Sequence, residues 1–499
     1  HGHPLDRSLI TLISLHPNTD MCLINQQEFR SPGFHRRIGA LLAGLLLTLG
    51  SARADDAAGE AGDPLSRYVA EALASNAALQ AQNFAVEAAA QGLNAARARR
   101  APQLALNARY TVSEGGRVTQ IPTGDLVNPI FRTLNQLTAG TPNATSFPQI
   151  GNNDIRFLRP HEQDTRLSLS APIYAPQLSA QVQIRAAEFE GSLATREAFA
   201  RTLVRDLKQA WYQLAQIRAG ITVLEASRAT LAENRRVADA LIAAGKATRD
   251  RALRAEAELL GIEQRLLAAG NDERAARRYL NLLRNRDEAE AVSTTDETLA
   301  RDSEAAEEAG IRPELRRLDH QIDAADHARQ LAGSSYLPTL SLVADSGIQG
   351  TGYRIDRDAD VSTASLVLNW TLFDFGIRRA AESQARAQTA QLQATRDDVH
   401  RQLELARRSA DDSVQTSVQA LRTAEARIAA ADESFHIAER KRDAGQLSQI
   451  EFIDAERART EARLSLTIAR SALHSARAEQ EYSRASYPLP VTLAAGVTP

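Results

Sequence analysis

The sequence is poor in cysteine, aromatic residues, glycine and proline, and these shortages exclude several kinds of structure. Its 499 residues include one cysteine, and aromatic side chains make up 5%. A disulfide framework needs cysteine pairs, so a disulfide-rich scaffold is excluded. The composition, dominated by Ala, Arg, Glu, Gln and Leu, is typical of long helices and not of a globular α/β core.

The charges give no sign of a nucleic-acid or catalytic site. The formal net charge is -3 and both signs are interspersed, whereas nucleic-acid binding needs a clustered basic face. The sequence has no glycine-rich phosphate loop and no His, Asp and Glu cluster at metal-ligand spacing. His320 and His327 are explained more simply as exposed helix residues. We therefore expect no catalytic residue, no metal and no cofactor.

The amino terminus has the pattern of a secretory signal peptide. Residues 35–37 are basic, 38–49 are apolar, and Ala52-Arg53-Ala54 forms a small-x-small cleavage site. The apolar run is too short to span a bilayer, which favours export over a retained anchor. Residues before Met21 resemble translated upstream sequence, and the single cysteine, Cys22, precedes the cleavage site. We expect an exported mature chain that has no disulfide.

The rest of the chain contains an internal repeat. In each copy an alternating segment gives way to a long stretch that contains almost no proline and ends at a glycine. The two glycines, Gly245 and Gly445, lie 200 positions apart. A repeat of this size indicates one structural unit used twice.

Four segments alternate between apolar and polar side chains, at 103–113, 164–173, 339–345 and 361–373. Each is near the length, about 9 to 11 residues, of a tilted transmembrane strand. A half-buried strand of a soluble sheet alternates in the same way. However, the polar faces carry Arg109, Arg166 and Asp345 without an obvious pairing scheme, as a wet lumen allows. Because four strands cannot close a barrel, several chains would have to share one.

Residues 115–160, between the first two strands, have no counterpart in the second copy. They are rich in Pro, Thr, Asn and Gly, which are typical of surface loops. We expect an extracellular loop that folds in part over the barrel mouth.

Apolar residues recur every seven positions along two segments, which predicts coiled-coil helices. The seams are Leu203, Ala210, Ile217, Leu224, Leu231 and Ala238 in the first copy and Val414, Leu421, Ile428 and Phe435 in the second. Helices over 176–243 and 376–443 would each be about 100 Å long at about 1.5 Å per residue. A return helix completes a hairpin in each copy, marked in the first by Leu253, Leu260 and Leu267.

These patterns divide the chain into five parts. Residues 1–54 are an upstream extension and signal peptide. The first repeat, 55–285, contains a helix, the strand pair 103–113 and 164–173, and a helical hairpin with its tip at 245. An acidic equatorial connector, 286–312, leads to the second repeat, 313–486, with strands 339–345 and 361–373 and a tip at 445. Residues 487–499 form a carboxyl-terminal tail.

The repeat, the signal peptide and several short motifs together resemble the TolC family of outer-membrane efflux proteins. The motifs are the strand-to-helix junction at 372–376, its weaker twin at 172–174, and the tip at 444–448 followed by 451–455. At the junctions, Pro172 has no equivalent in the second copy, where position 371 is Thr. Asp374 is expected to cap the following helix, and Gly376 to let the chain turn from barrel to tunnel.

The resemblance implies a mixed membrane α/β fold: a homotrimer with a 12-stranded transmembrane β-barrel, four strands from each chain, continued by a long α-helical coiled-coil barrel. It implies the outer membrane of a Gram-negative cell, with lipid around the barrel and the helices in the periplasm. It also implies two partners, a periplasmic adaptor (membrane fusion) protein and, through it, an inner-membrane pump of RND or ABC type.

The resemblance assigns roles to residues at the tips. The residues expected to contact the adaptor are Gly245, Lys246, Gly445, Gln446 and Leu447. Glu451 and Asp454 match the positions of entrance carboxylates, and three-fold symmetry would place six carboxylates around one opening, raising some pKa values by repulsion. The alternative is that both are ordinary solvated acids near a helix start, and the match to the family favours the ring. The latch residues of some members are absent, and Arg442 or Arg251 is expected to pair with Asp454 or Glu451 instead.

Two functions fit these observations. The favoured one is a passive duct of a tripartite efflux or type I secretion system. The alternative is a periplasmic coiled-coil scaffold whose strands form a soluble domain. The apolar stripes of the four strands favour the duct.

Overall fold

The computed structural model of the chain describes residues 64–294, 310–353, 359–490 and 493. The predicted signal peptide, residues 1–54, lies outside the described residues, as do 295–309 of the predicted connector. No helix in these described ranges is both long and apolar enough to cross a membrane.

The described elements follow one another in the order helices, strand, loop insertion, strand and helical hairpin, and then helix, two strands and a second hairpin. The first half comprises α1 (Pro64–Ser75), α2 (Ala77–Ala98), β1 (Gln103–Val112), β2 (Val118–Ile121), α3 (Thr123–Thr138), β3 (Asn153–Arg156), β4 (His161–Tyr174), α4 (Pro176–Ala243) and α5 (Arg249–Leu283). The second half comprises α6 (Pro313–Ser334), β5 (Thr339–Gly350), β6 (Asp360–Asn369), α7 (Ile377–Asp443) and α8 (Gln449–Arg484).

Four strands form one antiparallel sheet in the order β1-β4-β5-β6. The register pairs Leu104 with Leu169, and Leu342 with Leu366, so apolar residues on neighbouring strands lie side by side on one face. This face is open to the surroundings, because Leu104 and Leu366 are more than 60% exposed. β1 and β6 are the two outer strands of the sheet, and within the described residues neither pairs on its outer edge.

The strand bounds differ from the sequence prediction most at the ends of β5 and β6, and β4 begins at His161, before the predicted start at 164. β5 continues to Gly350, beyond the predicted end at 345, because residues 346–350 pair with β4. β6 ends at Asn369, before the predicted end at 373, so Trp370 and Leu372 belong to the connection that leads into α7. The alternation at 370 and 372 therefore lies in a connection outside the sheet and does not extend the strand.

The two helical hairpins dominate the structure. α4 has 68 residues and α7 has 67. The seam positions Leu203, Leu224 and Leu231 of α4 are buried. The seam of α7 is only partly buried in the single chain, where Phe435 alone of the four predicted positions is buried.

The centre of the molecule is a core around the middle of α4. Trp211 of α4 is fully buried and packs with α1 and α5. The first part of the predicted connector packs here, since Trp211 Nε1 donates to the Ser293 carbonyl at 3.3 Å and Arg218 donates to the Val292 carbonyl at 2.6 Å. This places Val292 and Ser293 of the connector beside the middle of α4. Pro313 occupies the first turn of α6.

The insertion between β1 and β4 is folded. β2 and β3 form a two-stranded sheet, and α3 lies between them in sequence. The sequence predicted a surface loop for residues 115–160, and the presence of a 16-residue helix is a correction. α3 has four apolar residues at helical spacing, Leu126, Ile130, Leu134 and Leu137, but the Thr, Asn and Pro residues around them are typical of a loop.

Candidate functional site

The junction between β6 and α7 is built around one carboxylate. Asp374 Oδ2 accepts hydrogen bonds from the Arg378 amide at 3.0 Å and from Arg378 Nε at 2.7 Å. Gly376, the N-cap residue, has φ +93°, and Phe375 also has positive φ at 52°. Asp374 therefore satisfies an amide of the first helical turn from two residues before the N-cap, while Gly376 supplies the turn.

The first junction is built differently. The pairing of β4 with β5 shifts register between Pro172 and Tyr174, which is a β-bulge. Pro176 then occupies the first turn of α4, where its missing amide hydrogen would have no partner in any case. The two junctions thus turn the chain by a bulge in one copy and by left-handed residues in the other.

The polar face of the sheet is a hydrogen-bonded network. Asp164 accepts from Arg166 at 2.5 Å and lies 3.7 Å from Arg109, across the pair of strands β1 and β4. Asp345 accepts from Ser168 at 2.5 Å. The prediction that Arg109, Arg166 and Asp345 lack a pairing scheme is therefore wrong. The cross-strand register places Asp164 opposite Arg109 and Ser168 opposite Asp345. Arg166 pairs with Asp164 within β4 and also donates to Gln349 of β5 at 3.0 Å.

The two hairpin tips have the same backbone hydrogen bonds. At the first tip the amides of Lys246 and Gly245 donate to the carbonyls of Leu241 and Ile242, at 2.8 and 2.9 Å. At the second tip Gln446 and Gly445 donate to Lys441 and Arg442 at the same distances. This is the Schellman arrangement, and both glycines have the left-handed φ that it needs, +69° and +71°.

The tip residues predicted to contact an adaptor lie on the surface. Gly245, Lys246, Gly445 and Gln446 are exposed, whereas Leu447 is half-buried. They lie in the two turns that close the hairpins, and their backbones are held by the hydrogen bonds just described.

Glu451 closes a capping box at the start of α8. The Glu451 carboxylate accepts from the Ser448 amide at 3.0 Å, and the Ser448 hydroxyl accepts from the Glu451 amide at 3.3 Å. Hydrogen bonding from the Ser448 amide lowers the pKa of Glu451 in the single chain. The Ser-x-x-Glu spacing is a sequence signal for this motif that the sequence reasoning missed.

The predicted pairing of Arg442 or Arg251 with Glu451 or Asp454 is not formed within the chain. Arg442 contacts Asp443 at 2.8 Å and stacks 4.4 Å above the Phe452 ring. Asp454, which is 61% exposed, lies 3.6 Å from Arg457 in the next turn of its own helix. Arg251 is half-buried and has no ion-pair partner among the described residues. Arg442 therefore contacts a nearer carboxylate and a ring instead of Glu451 or Asp454.

A buried carboxyl group, Glu456, was not predicted. Glu456 is 3% exposed on α8 and accepts from Thr460 at 3.1 Å, while its second oxygen has no hydrogen-bond partner. It lines a cavity of about 60 Å³ together with Ser227 of α4 and Glu258 and Arg265 of α5. Burial raises the pKa of Glu456. Only the packing of three helices makes this position interior, so the local sequence carries no signal for it.

Comparisons with known proteins support the resemblance. Residues 305–479 match the family model described as outer membrane efflux protein. No curated protein matches the sequence.

Several solved structures are similar in fold. The outer membrane protein VceC from Vibrio cholerae has a TM-score of 0.66 at 17% identity, over 85% of this chain and 96% of that chain. The Campylobacter jejuni outer membrane channel CmeC has a TM-score of 0.67 at 14% identity, over 85% and 86%. The Neisseria gonorrhoeae outer membrane channel MtrE, in its open state, has a TM-score of 0.66 at 16% identity, over 84% and 88%.

These findings confirm the resemblance to the TolC family and the outer-membrane localisation that it implied. Residues 305–479 therefore belong to the outer membrane efflux protein family, and the chain has the fold of the outer-membrane channels.

Proposed function

We propose that this protein is the outer-membrane duct of a tripartite efflux or type I secretion system and that it acts as a homotrimer. The observation that carries the proposal is the open four-stranded sheet, with its exposed apolar face and its hydrogen-bonded polar face. In lipid, unpaired strand edges leave amides and carbonyls unsatisfied, so the edges of β1 and β6 need partners.

Other copies of the chain supply suitable partners. β1 and β6 run in opposite directions, since each neighbouring pair in the order β1-β4-β5-β6 is antiparallel. β6 of one copy can therefore pair with β1 of the next and continue the antiparallel pattern around a closed barrel. With four strands from each chain, three copies give the 12-stranded barrel of our proposal.

The helices also present a surface suited to a second copy. The leucines that marked the return helix α5 in the sequence do not point into the hairpin. Leu253, Leu260 and Leu267 are 52%, 58% and 69% exposed, and they form a stripe with heptad spacing. Such a stripe favours packing against another helix, and in a trimer the neighbouring chain lies beside α5.

The tips at Gly245 and Gly445 are the proposed contact with a periplasmic adaptor, which joins the duct to an inner-membrane pump. Glu451 and Asp454 are the proposed entrance carboxylates, with Arg442 and Arg251 nearby. Because the pump supplies the energy, we propose no catalytic step for this chain.

The first test is the mass of the mature chain extracted from outer membranes in detergent. The duct predicts a trimer that dissociates on heating and that forms ion-conducting channels in planar bilayers. A monomer or dimer recovered without detergent contradicts the duct and supports the alternative, a periplasmic coiled-coil scaffold.

A further inference from the structure

The helix α3 of the loop insertion has an apolar face that no part of the described chain covers. This leucine face consists of Leu126, Ile130, Leu134 and Leu137. We propose that the leucine face packs against the α3 insertion of a second copy, so that three insertions meet at the extracellular mouth. The inference rests on the proposed trimer, because only the assembly brings the insertions together.

The leucine face is both regular and exposed. Its members recur at intervals of four, four and three residues, which places them along one side of a helix. They are exposed by 67%, 58%, 39% and 72% in chain order. A contiguous apolar surface of this kind on a soluble loop indicates an interaction site.

Two asparagines fix the direction in which the leucine face points. Asn128 exchanges hydrogen bonds with the backbone of Ile150, at 2.8 and 2.9 Å, and Asn135 does so with Phe147, at 3.0 and 2.8 Å. Phe131 stacks on Phe147 with ring centroids 5.0 Å apart. These contacts occupy the side of α3 roughly opposite the leucine face, and they hold the helix so that the leucines point away from the rest of the insertion.

The approach of α3 to the same segment is also close at its first turn. A side chain at Gly124 would come within 2.5 Å of the Ile150 carbonyl oxygen. The helix is therefore attached to residues 147–152 at its start, at Asn128 and at Asn135, over most of its length. The outward direction of the leucine face is therefore fixed by contacts within the insertion.

The charges of α3 favour a protein partner over a membrane surface. Its charged residues are Asp125 and Arg132, one of each sign, and both lie on the polar side. Helices that lie on membranes carry several Lys or Arg residues on the polar face, which attract anionic lipids. α3 lacks this attraction, so its leucine face fits another apolar protein surface better.

The topology places a second copy beside α3. The insertion follows β1, one of the two outer strands of the sheet. When β6 of the next copy pairs with β1, that copy's β5–β6 connection adjoins the insertion, and the insertions themselves meet across the mouth around the symmetry axis. Because every copy carries the same leucine face, a contact between insertions closes around the symmetry axis and leaves no copy without a partner.

The test uses single cysteines, since the chain has one cysteine, Cys22, which is replaced by serine. Leu134→Cys and Leu137→Cys place thiols on the leucine face. Gln136→Cys is the matched control on the exposed polar side of the same helix. Each variant is purified as a trimer in detergent, oxidised with copper phenanthroline, and separately labelled with a membrane-impermeant maleimide.

We expect Leu134→Cys or Leu137→Cys to form a disulfide between two chains, and both to label about tenfold more slowly than Gln136→Cys because their thiols are buried. The contact between insertions is overturned if the unheated trimer forms no disulfide and its leucine-face thiols label as fast as Gln136→Cys. That outcome does not contradict the proposed duct. A third outcome is that the leucine-face thiols label slowly but form no disulfide, and that they label quickly once lipid is removed. This outcome assigns the leucine face to the membrane and also overturns the contact between insertions. A monomer before heating overturns both proposals.

Discussion

Arg457 of α8 forms an ion pair with Glu258 of α5, and this pair joins the two helical hairpins close to their tips. The side chains are 47% and 33% exposed, so the pair contributes at most about 1 kcal/mol to stability. Its position matters more than its strength, because it links elements that must separate if the entrance widens. Asp454 lies 3.6 Å from the same Arg457, so one of the proposed entrance carboxylates shares this arginine.

Reversing the charge of Arg457 should open the entrance. In Arg457→Glu, the new carboxylate faces Glu258 and Asp454, and repulsion should drive the hairpins apart. We expect a larger single-channel conductance in planar bilayers. The double variant Arg457→Glu with Glu258→Arg should return the conductance toward that of the original protein.

The control for this experiment is Arg386→Glu, which breaks an exposed pair with Glu382 inside α7. It should leave the conductance unchanged. Equal conductance in Arg457→Glu and the unmodified channel would contradict a role of the pair in closing the entrance.

Burial of Glu456 should make stability depend on pH. Because burial raises its pKa, the folded state binds a proton more readily than the unfolded state. The stabilising effect of protonation is present at pH values below the ordinary glutamate pKa. It is lost as the pH rises through the raised pKa. At neutral pH the charged group is surrounded by Arg459, Arg265, Glu258 and Arg457.

Glu456→Gln should remove this pH dependence. At neutral pH we expect its thermal midpoint to rise by about 2 °C, the change expected for about 1 kcal/mol in a large domain. Arg459 keeps a partner in the variant, since it also contacts Asp432 at 2.8 Å. The difference should disappear in acid. Glu461→Gln, on the exposed side of α8, is the control, and a pH-independent difference would refute the explanation.

A close approach at Gly347 should make the sheet sensitive to one methyl group. A side chain at Gly347 of β5 would come within 2.1 Å of the Thr165 carbonyl oxygen of β4. Gly347→Ala therefore forces the strands to shift, at a cost of about 1 to 3 kcal/mol. We expect less heat-resistant trimer on gels of outer-membrane extracts.

Gly350→Ala is the matched control in the same strand, because its nearest neighbour would be 3.7 Å away. Its trimer should dissociate at the same temperature as the unmodified protein. Equal loss of trimer in both variants would show that the effect comes from strand propensity and not from the contact with β4.

The capping box should stabilise the start of α8. Ser448→Ala removes the acceptor for the Glu451 amide, and loss of such a cap costs about 1 kcal/mol. We expect faster hydrogen exchange over residues 449–455. Thr248→Ala at the first tip is the comparison, since Thr248 makes no capping hydrogen bond to a backbone amide. If both variants exchange alike, the cap has no measurable role.

The helical part could be predicted closely from the sequence, whereas the insertion could not. Heptad spacing predicted helices over 176–243 and 376–443, and the structure has Pro176–Ala243 and Ile377–Asp443. An apolar periodicity that extends over ten helical turns predicts a helix even where single residues depart from the pattern. In α3 the signal spans four apolar residues, and Pro129 and the Asn and Thr content point to a loop. The helix forms because Asn128 and Asn135 bind a segment that follows it.

The candidate site was only partly predictable for a related reason. Gly245 and Gly445 were located from sequence because a left-handed residue at a helix end is a local requirement. The partners of Arg442 and Asp454 were not, since several carboxylates and arginines lie near each tip and the packing decides which of them meet. Glu456 shows the same limit, because nothing near it in sequence distinguishes a buried glutamate from an exposed one.

The sequence by itself determined the long helices, the turns that end them, the alternating strands and the likeness to the TolC family. All of these depend on residues close together in the chain or on a pattern repeated many times. The tertiary structure alone decided that Asp164 pairs with Arg109, that Arg457 joins the hairpins, and that the leucines of α3 and α5 face outward. Those relationships depend on register and on the direction of side chains between elements distant in sequence, which local patterns do not specify.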